Sequence, residues 1–319
     1  MSSKERVLVT GGAGFIGSNI VDALLDRGHE VAVVDDLSHG RVANLAAAGA
    51  AAELFEMDIR SEDLGRVFRS FRPSIVMHLA AQIDVRVSVR DPRLDADINI
   101  MGTLNILEHA RDGVRKVLVA SSGGCVYGEA KRLPIKESAR GRPASPYGIS
   151  KRVLHDYLAF YRSVYALEHT VLALSNVFGP RQDPHGEAGV VAIFLRSMLE
   201  GGEQLIFGDG SQTRDFVYVG DVADAFVRAI SDGDGVYNIG TGRQTSVSEL
   251  WRACASVTGY RGEPRHEAPR AGELQANALD AVRARRDLGW MPTVSLEEGL
   301  GATAAFIEQL LATGVAING

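Results

Sequence analysis

The stretch Val7–Gly17, VLVTGGAGFIG, constrains this 319-residue chain more than any other. A short apolar run (Val7, Leu8, Val9) ends at Thr10, and Gly11, Gly14 and Gly17 follow in GxxGxxG spacing. An amphipathic helix is expected from about Phe15 to Arg27, stopped by Gly28. Strand, glycine turn and helix begin a dinucleotide-binding βαβ unit. The first glycine permits the tight turn, the second lets the backbone approach a pyrophosphate, and the third lets the helix pack on the strand. The helix N-terminus offers free N–H groups to the anion. The next strand, Glu30–Val34, ends in Asp35, about twenty residues on. An acid there can accept hydrogen bonds from an adenosine ribose and so favours NAD over NADP.

The rhythm continues along the chain. The polar turn Asp36–Gly40 and a loosely helical Arg41–Ala52 lead to a strand over Ala52–Met57, ending at Asp58. A helix over Ser61–Phe71, a strand over Ile75–Ala81, a helix from Pro92 through Asn99 to Arg111 and a strand over Val117–Ala120 follow. Ser145-Pro146 reads as cap and first-turn proline of a long helix to about Val164. A strand over Thr170–Leu174 comes next. Such alternation predicts an α/β, Rossmann-type, doubly wound parallel sheet. From about Val177 the pattern turns loop-rich, with helices over Val190–Glu200, Ser246–Thr258 and Leu296–Leu311 and a strand over Val236–Ile239. The expected division is a nucleotide-binding domain over residues 1–175, with a returning segment near 216–242. A smaller C-terminal α/β domain over 176–319 would bind substrate, with the ligand cleft between the two.

A net charge of −6 leaves no basic footprint for nucleic acid. Cys125 and Cys254 are too few for a disulfide framework or a zinc cage, and no metal is implied. No apolar run approaches a membrane span, and no signal-peptide pattern precedes the first strand, so a cytoplasmic location is expected.

The chemistry concentrates in SPYGISK. Tyr147 and Lys151, four apart near a helix start, share one face. An ammonium near a phenol favours the phenolate, which can then act as a general base. His78 reads as a hydrogen-bonded core histidine, and Trp251 and Trp290 as packing for the smaller domain.

TGGAGFIGS, HLAAQ, SSGGCVYGE, SPYGISK, NVFGPRQDPHGEAGVVAIF, GDGSQTRDFVYVGDVA and YNIGTG together resemble the extended short-chain dehydrogenase/reductases. The nearest group is the bacterial UDP-glucose (UDP-galactose) 4-epimerases, and the likeness runs to about Gly301. The resemblance implies that Gly11, Gly14, Phe15 and Ile16 hold the NAD pyrophosphate, Asp35 and Asp36 the adenosine ribose side, and Asp58 with Ile59 the adenine. Leu79, Ala80 and Ala81 would line the cofactor cleft, with Asn99 near it. Tyr147 would take the proton of the sugar 4-hydroxyl, and Lys151 would bind the nicotinamide ribose and tune the tyrosine. For a UDP-sugar, it implies Asn176 at the diphosphate or sugar, Val190 and Phe194 flanking the uracil, Arg214 and Arg270 clamping the diphosphate, and Glu273 on the uridine ribose. Asn277 falls where the family gates sugar bulk. The helices Arg93–Arg111 and Pro146–Val164 would build a homodimer.

Two positions depart from the family pattern. Gly123 stands where many members carry a third Ser or Thr, which leaves Ser122 as the nearest hydroxyl. Ala173-Leu174 replaces the usual Arg-Tyr pair. Gly124-Cys125 carries none of the carboxylates that dehydratases and decarboxylases place before VYG, which argues for plain epimerisation. The alternatives are epimerisation of UDP-glucuronate or a UDP-N-acetylhexosamine, or a non-catalytic NAD-sensing protein.

Overall fold

In the computed structural model, which describes residues 4–183, 189–270 and 274–313, strand β1 (Arg6–Thr10) turns Val7 and Val9 to one side of a sheet and Leu8 to the other. The two-residue period of extended backbone imposes that split. It recurs in β2 (Glu30–Asp35), where Val31 and Val33 face one way and Ala32 and Val34 the other. Helix α1 (Phe15–Asp26) joins these strands. After two short 3-10 turns in the alanine-rich stretch come β3 (Ala52–Glu56), α2 (Leu64–Phe71) and β4 (Ile75–His78). Helices α3 (Val85–Arg90), α4 (Pro92–Ala96) and α5 (Gly102–Ala110) lead to β5 (Lys116–Ser122), α6 (Gly123–Tyr127), α7 (Pro146–Tyr165) and β6 (Glu168–Leu174).

Beyond β6 lie β7 (Asn176–Phe178), α8 (Val190–Leu199), β8 (Leu205–Phe207), β9 (Thr213–Arg214), β10 (Phe216–Tyr218), α9 (Val219–Arg228) and β11 (Gly235–Ile239). The chain continues through β12 (Thr245–Ser246), α10 (Val247–Thr258), β13 (Arg265–Glu267), α11 (Val282–Leu288) and α12 (Leu296–Thr313). Seven strands form one sheet in the order β11-β6-β5-β4-β1-β2-β3, every pairing parallel. This is the doubly wound α/β fold expected. The chain runs outward from β1 to β3 and then crosses back to β4, so the strand order reverses between β1 and β4. A crevice opens there beyond the carboxyl ends of the strands.

One face of the sheet packs on α1, α9 and α11, the other on α2, α5 and α7. Helices α8, α10 and α12 share a separate apolar cluster. Trp251 belongs to that cluster, but Trp290 does not. Its indole is fully buried in the large sheet's core and donates to Asp221 O at 2.7 Å. The helix expected from Pro92 to Arg111 is interrupted by a π-helical turn, Asp97–Met101. Helices α3 and α6 were not expected. Glycines at 123 and 124 read as loop, yet Ser122 caps the short helix by accepting from Cys125 N at 3.3 Å.

Candidate active site

The glycine loop is shaped for an anion. Gly11 has φ +70°, and a Cβ there would lie 2.7 Å from Ala80 N, so the β1 and β4 loops touch at the crevice. A Cβ on Gly17 would lie 2.1 Å from Gly11 O, so only glycine lets α1 start this close to the turn. Helix α1 begins at Gly14 with no side-chain cap, which leaves its first N–H groups, including those of Phe15 and Ile16, for a ligand. These residues fit a dinucleotide pyrophosphate.

Asp35 does more than the sequence indicates. Its carboxylate accepts from Ala13 N and Leu37 N, both at 2.9 Å, and so also fastens the glycine loop. Burial raises its pKa. The carboxylate keeps acceptor capacity for a ribose hydroxyl. Asp36 is exposed and accepts from the Ser38 amide and hydroxyl. Asp58 is held below its ordinary pKa by the Arg60 guanidinium, which also reaches Asp97 at 2.6 Å. The Ile59 carbonyl accepts from Asn105 at 2.8 Å. Leu79 and Ala80 donate their amides to Thr10 O, which fixes the cleft wall that continues into Ala81.

Asn99 lies next to that wall. It is buried, its Nδ2 donates to Gln82 O and its Oδ1 accepts from Gln82 N, both at 2.9 Å. The amide braces Gln82, the residue that follows Ala81. His78 is the core histidine anticipated. Thr103 gives its proton to Asn99 O at 2.6 Å, so His78 Nε2 must donate to Thr103 and Nδ1 must accept from Thr10. Burial, then the Lys151 charge, lowers its pKa to about 3.

Helix α7 carries the reactive pair. Ser145 caps it by accepting from Gly148 N at 3.2 Å, and Pro146 occupies its first turn. Tyr147 is half-buried with Ser122 beside it, and the Lys151 ammonium lies 6.0 Å from its ring centroid. Lys151 is 4% exposed and donates to Ala120 O at 3.2 Å. One expectation needs correction. The chain alone does not lower the tyrosine. Burial raises its pKa well above 10, and the Cys125 and Asp95 groups push the same way. Burial lowers Lys151 to about 8. A phenolate at Tyr147 therefore needs further positive charge beside it.

Arg214 comes from the C-terminal half, and its charge reaches Cys125 on the α6 loop beside Tyr147. Asn176 is exposed at the start of β7, with its backbone amide held by Asp215 O at 2.9 Å. Asp215, which sequence reasoning missed, is a fully buried hub. It accepts from Thr241 N and Oγ1, Gly242 N and Leu279 N, and so ties β9–β10 to the segment carrying Asn277. Asn277 is 1% exposed with both amide atoms unpartnered, beside Gly124.

Farther out, Arg270 stacks its guanidinium 3.9 Å over Phe207, at a 920 Å³ cavity also lined by Asp209, Gln212 and Gln275. Phe194 is 3% exposed inside the α8–α10–α12 cluster, and Val190 packs at the edge of that cluster. Glu273 lies outside the described residues.

A parallel sheet reversing beside a glycine-rich loop, with a Tyr-Lys pair over the crevice, defines a dinucleotide-dependent enzyme. Residues 7–240 match the NAD dependent epimerase/dehydratase family, and the chain belongs to that family. It is 50% identical to a UDP-glucose 4-epimerase of Mycolicibacterium smegmatis over 94% of this chain and 98% of that one. A solved UDP-glucose 4-epimerase of Thermotoga maritima with UDP-glucose superposes with TM-score 0.93 at 48% identity, covering 96% of this chain and 99% of that one. The Thermus thermophilus UDP-glucose 4-epimerase complex with NAD gives TM-score 0.90 at 44% identity, covering 95% and 98%.

Proposed function

We propose that the protein is an NAD-dependent UDP-hexose 4-epimerase that interconverts UDP-glucose and UDP-galactose. The observation that carries the reading is the convergence of Tyr147, Lys151 and Ser122 at the crevice mouth, with the Arg214 charge arriving from the other half. A bound NAD would supply a reversible hydride acceptor for C4 of the sugar. Gly11, Gly14, Phe15, Ile16 and Asp35 would hold it. Tyr147 takes the proton of the 4-hydroxyl and later gives it back, relayed or oriented by Ser122. Lys151 stabilises the phenolate and holds the nicotinamide ribose. Arg214 and Arg270 grip the diphosphate while the 4-keto sugar turns its other face to the cleft.

Asn277 bears on which sugar enters. Its amide is intermediate in size between a gate that excludes N-acetyl groups and one that admits them. We infer that UDP-glucose and UDP-galactose are the main pair, with some turnover of UDP-N-acetylhexosamines. The same arrangement supports a homodimer. Met101 (56% exposed), Phe160 (49%) and Val164 (56%) lie on the π-turn and α7, which pack against each other and leave apolar side chains outward. No helix among the described residues is long and apolar enough to cross a membrane, and both cysteines are free thiols, consistent with a cytoplasmic setting.

The test is incubation of the purified protein, without added cofactor, with UDP-galactose, UDP-glucuronate and UDP-GlcNAc separately. The expected result is UDP-glucose from UDP-galactose without net NADH, and slower conversion of UDP-GlcNAc. No conversion of any, with NAD supplied, would refute the reading.

A further inference from the structure

A fully buried carboxylate is costly to keep charged unless donors and an opposite charge compensate it. Asp95, at 0% exposure on α4, meets three side-chain donors. Its Oδ1 accepts from Gln82 Nε2 at 3.1 Å and Asn99 Nδ2 at 3.0 Å, and its Oδ2 accepts from Ser150 Oγ at 2.6 Å. The two amides cannot turn round to offer oxygens. Gln82 is fixed by its bonds to Asp84 O and Asp84 N, and Asn99 by its bonds to Gln82 O and Gln82 N. Asp95 Oδ1 is therefore an acceptor twice over. None of these donors carries charge.

The buried cation it answers is Lys151, next in sequence to Ser150. Among the described residues Lys151 has one acceptor, the neutral carbonyl of Ala120. We propose that Asp95 is a positioning residue of this site: its carboxylate keeps the Lys151 ammonium charged, and through Ser150, Gln82 and Asn99 it locks α7 against the cleft wall. The proposal rests on the reading of Tyr147 and Lys151 given above, and deepens it.

The surrounding groups agree. Asp95 is the charge that raises Lys151 against the lowering by burial, and it also pushes Tyr147 upward. The other titratable groups whose fields touch the pair are His78 on β4, His155 on α7 and Cys125 on α6. The two histidines are lowered by burial and stay neutral through the working range. Asp95 is thus the fixed charge that acts on both members of the pair.

Asp95→Asn keeps the shape and removes the charge. Both limbs of the kcat–pH bell should move to lower pH by about one unit, a tenfold change in each ionisation. A merely structural role would lower the bell without sliding it. A second readout does not need activity: the full-length protein labelled with 13Cε-lysine, titrated by NMR, with the Lys151 signal assigned by its loss in Lys151→Arg. Lys151 should titrate about one unit lower in Asp95→Asn than in the parent. Ser150→Ala keeps the carboxylate and should leave the Lys151 titration within about 0.3 unit of the parent. It supplies the test if Asp95→Asn does not fold. An unshifted Lys151 in Asp95→Asn, or a full-unit drop in Ser150→Ala, overturns the proposal. A shifted Lys151 in a protein that epimerises no sugar nucleotide counts instead against the function.

Discussion

The Cβ that Gly123 lacks would lie 2.4 Å from Leu279 Cδ1 and 3.2 Å from Leu174 O. A leucine from the C-terminal half therefore fills the space where family members carry a hydroxyl side chain, and the departure at Gly123 has a partner. Gly123→Ser alone should destabilise by about 1–3 kcal/mol through overpacking. Leu279→Ala alone should cost about 2–5 kcal/mol through its cavity. The double variant should lose less than the sum, with a coupling above about 1 kcal/mol in a denaturant double-mutant cycle. Additive losses would show that the two positions do not share this space.

Ser122 lies beside Tyr147 and favours its ionised form, and in the mechanism proposed the tyrosine exchanges the substrate proton while the serine relays or orients it. Tyr147→Phe should lower kcat by about 10²–10⁴-fold with KM little changed, the range for loss of a general base. Ser122→Ala should cost less, because Tyr147 can act directly. Steady-state rates with UDP-galactose check both, and equal losses would make the serine the obligatory relay.

Most of the scaffold was legible because it is written in short-range patterns. Val7 to Val9 alternate between the two faces, Gly11 and Gly17 sit where a side chain would collide with backbone, and Ser145-Pro146 starts α7 as cap and first-turn proline. What stayed hidden depends on contacts distant in sequence. Asp95 reads as one more helix charge until Ser150, 55 residues on, meets it. Asp215 reads as a neighbour of Arg214 until Leu279 N, 64 residues away, donates to it.

Arg270 and Phe207 make a stacked pair at the mouth of the cavity. Under the reading that this cavity takes the nucleotide end of the substrate, Arg270→Ala removes binding present equally in ground and transition states. KM should rise about 10–100-fold while kcat holds within about threefold. Arg270→Lys keeps charge but loses the flat stack, and should recover only part of the affinity. Isothermal titration with UDP separates the two. Unchanged affinity in Arg270→Ala would place the nucleotide elsewhere.

Burial holds His78 at about 3 and His155 and His169 at about 4, and it lowers His29 as well. Their folded-state pKa values lie below the ordinary 6.5, so as pH falls through 6.5 the unfolded chain takes up protons first. Stability is therefore full above about pH 6.5 and falls from there toward pH 4, by at most about 1.4 kcal/mol per pH unit for each histidine. His155→Gln should flatten the fall between pH 6.5 and 4.5 in urea melts. An identical slope in parent and variant would mean that His155 titrates normally when folded.

Every group that meets the Asp215 carboxylate is a donor: Thr241 N at 2.9 Å, Thr241 Oγ1 at 2.6 Å, Gly242 N at 3.0 Å and Leu279 N at 3.1 Å. Asp215→Asn puts an NH₂ group against two of them in a site with no exposure, where each unsatisfied polar group costs about 1–3 kcal/mol. The loss should be about 2–5 kcal/mol and visible as a lower urea midpoint. Burial raises the Asp215 pKa while its donors oppose the rise, so the carboxylate gives no extra stability at alkaline pH. The variant's deficit should not grow between pH 6 and pH 8. Because Leu279 stands against Gly123, and Asn277 two residues earlier lies beside Gly124, slackening this hub should also loosen the loop that carries Ser122. Activity should then fall further than the folded fraction does at the same temperature. A variant that loses stability but keeps full turnover per folded molecule would confine Asp215 to the scaffold.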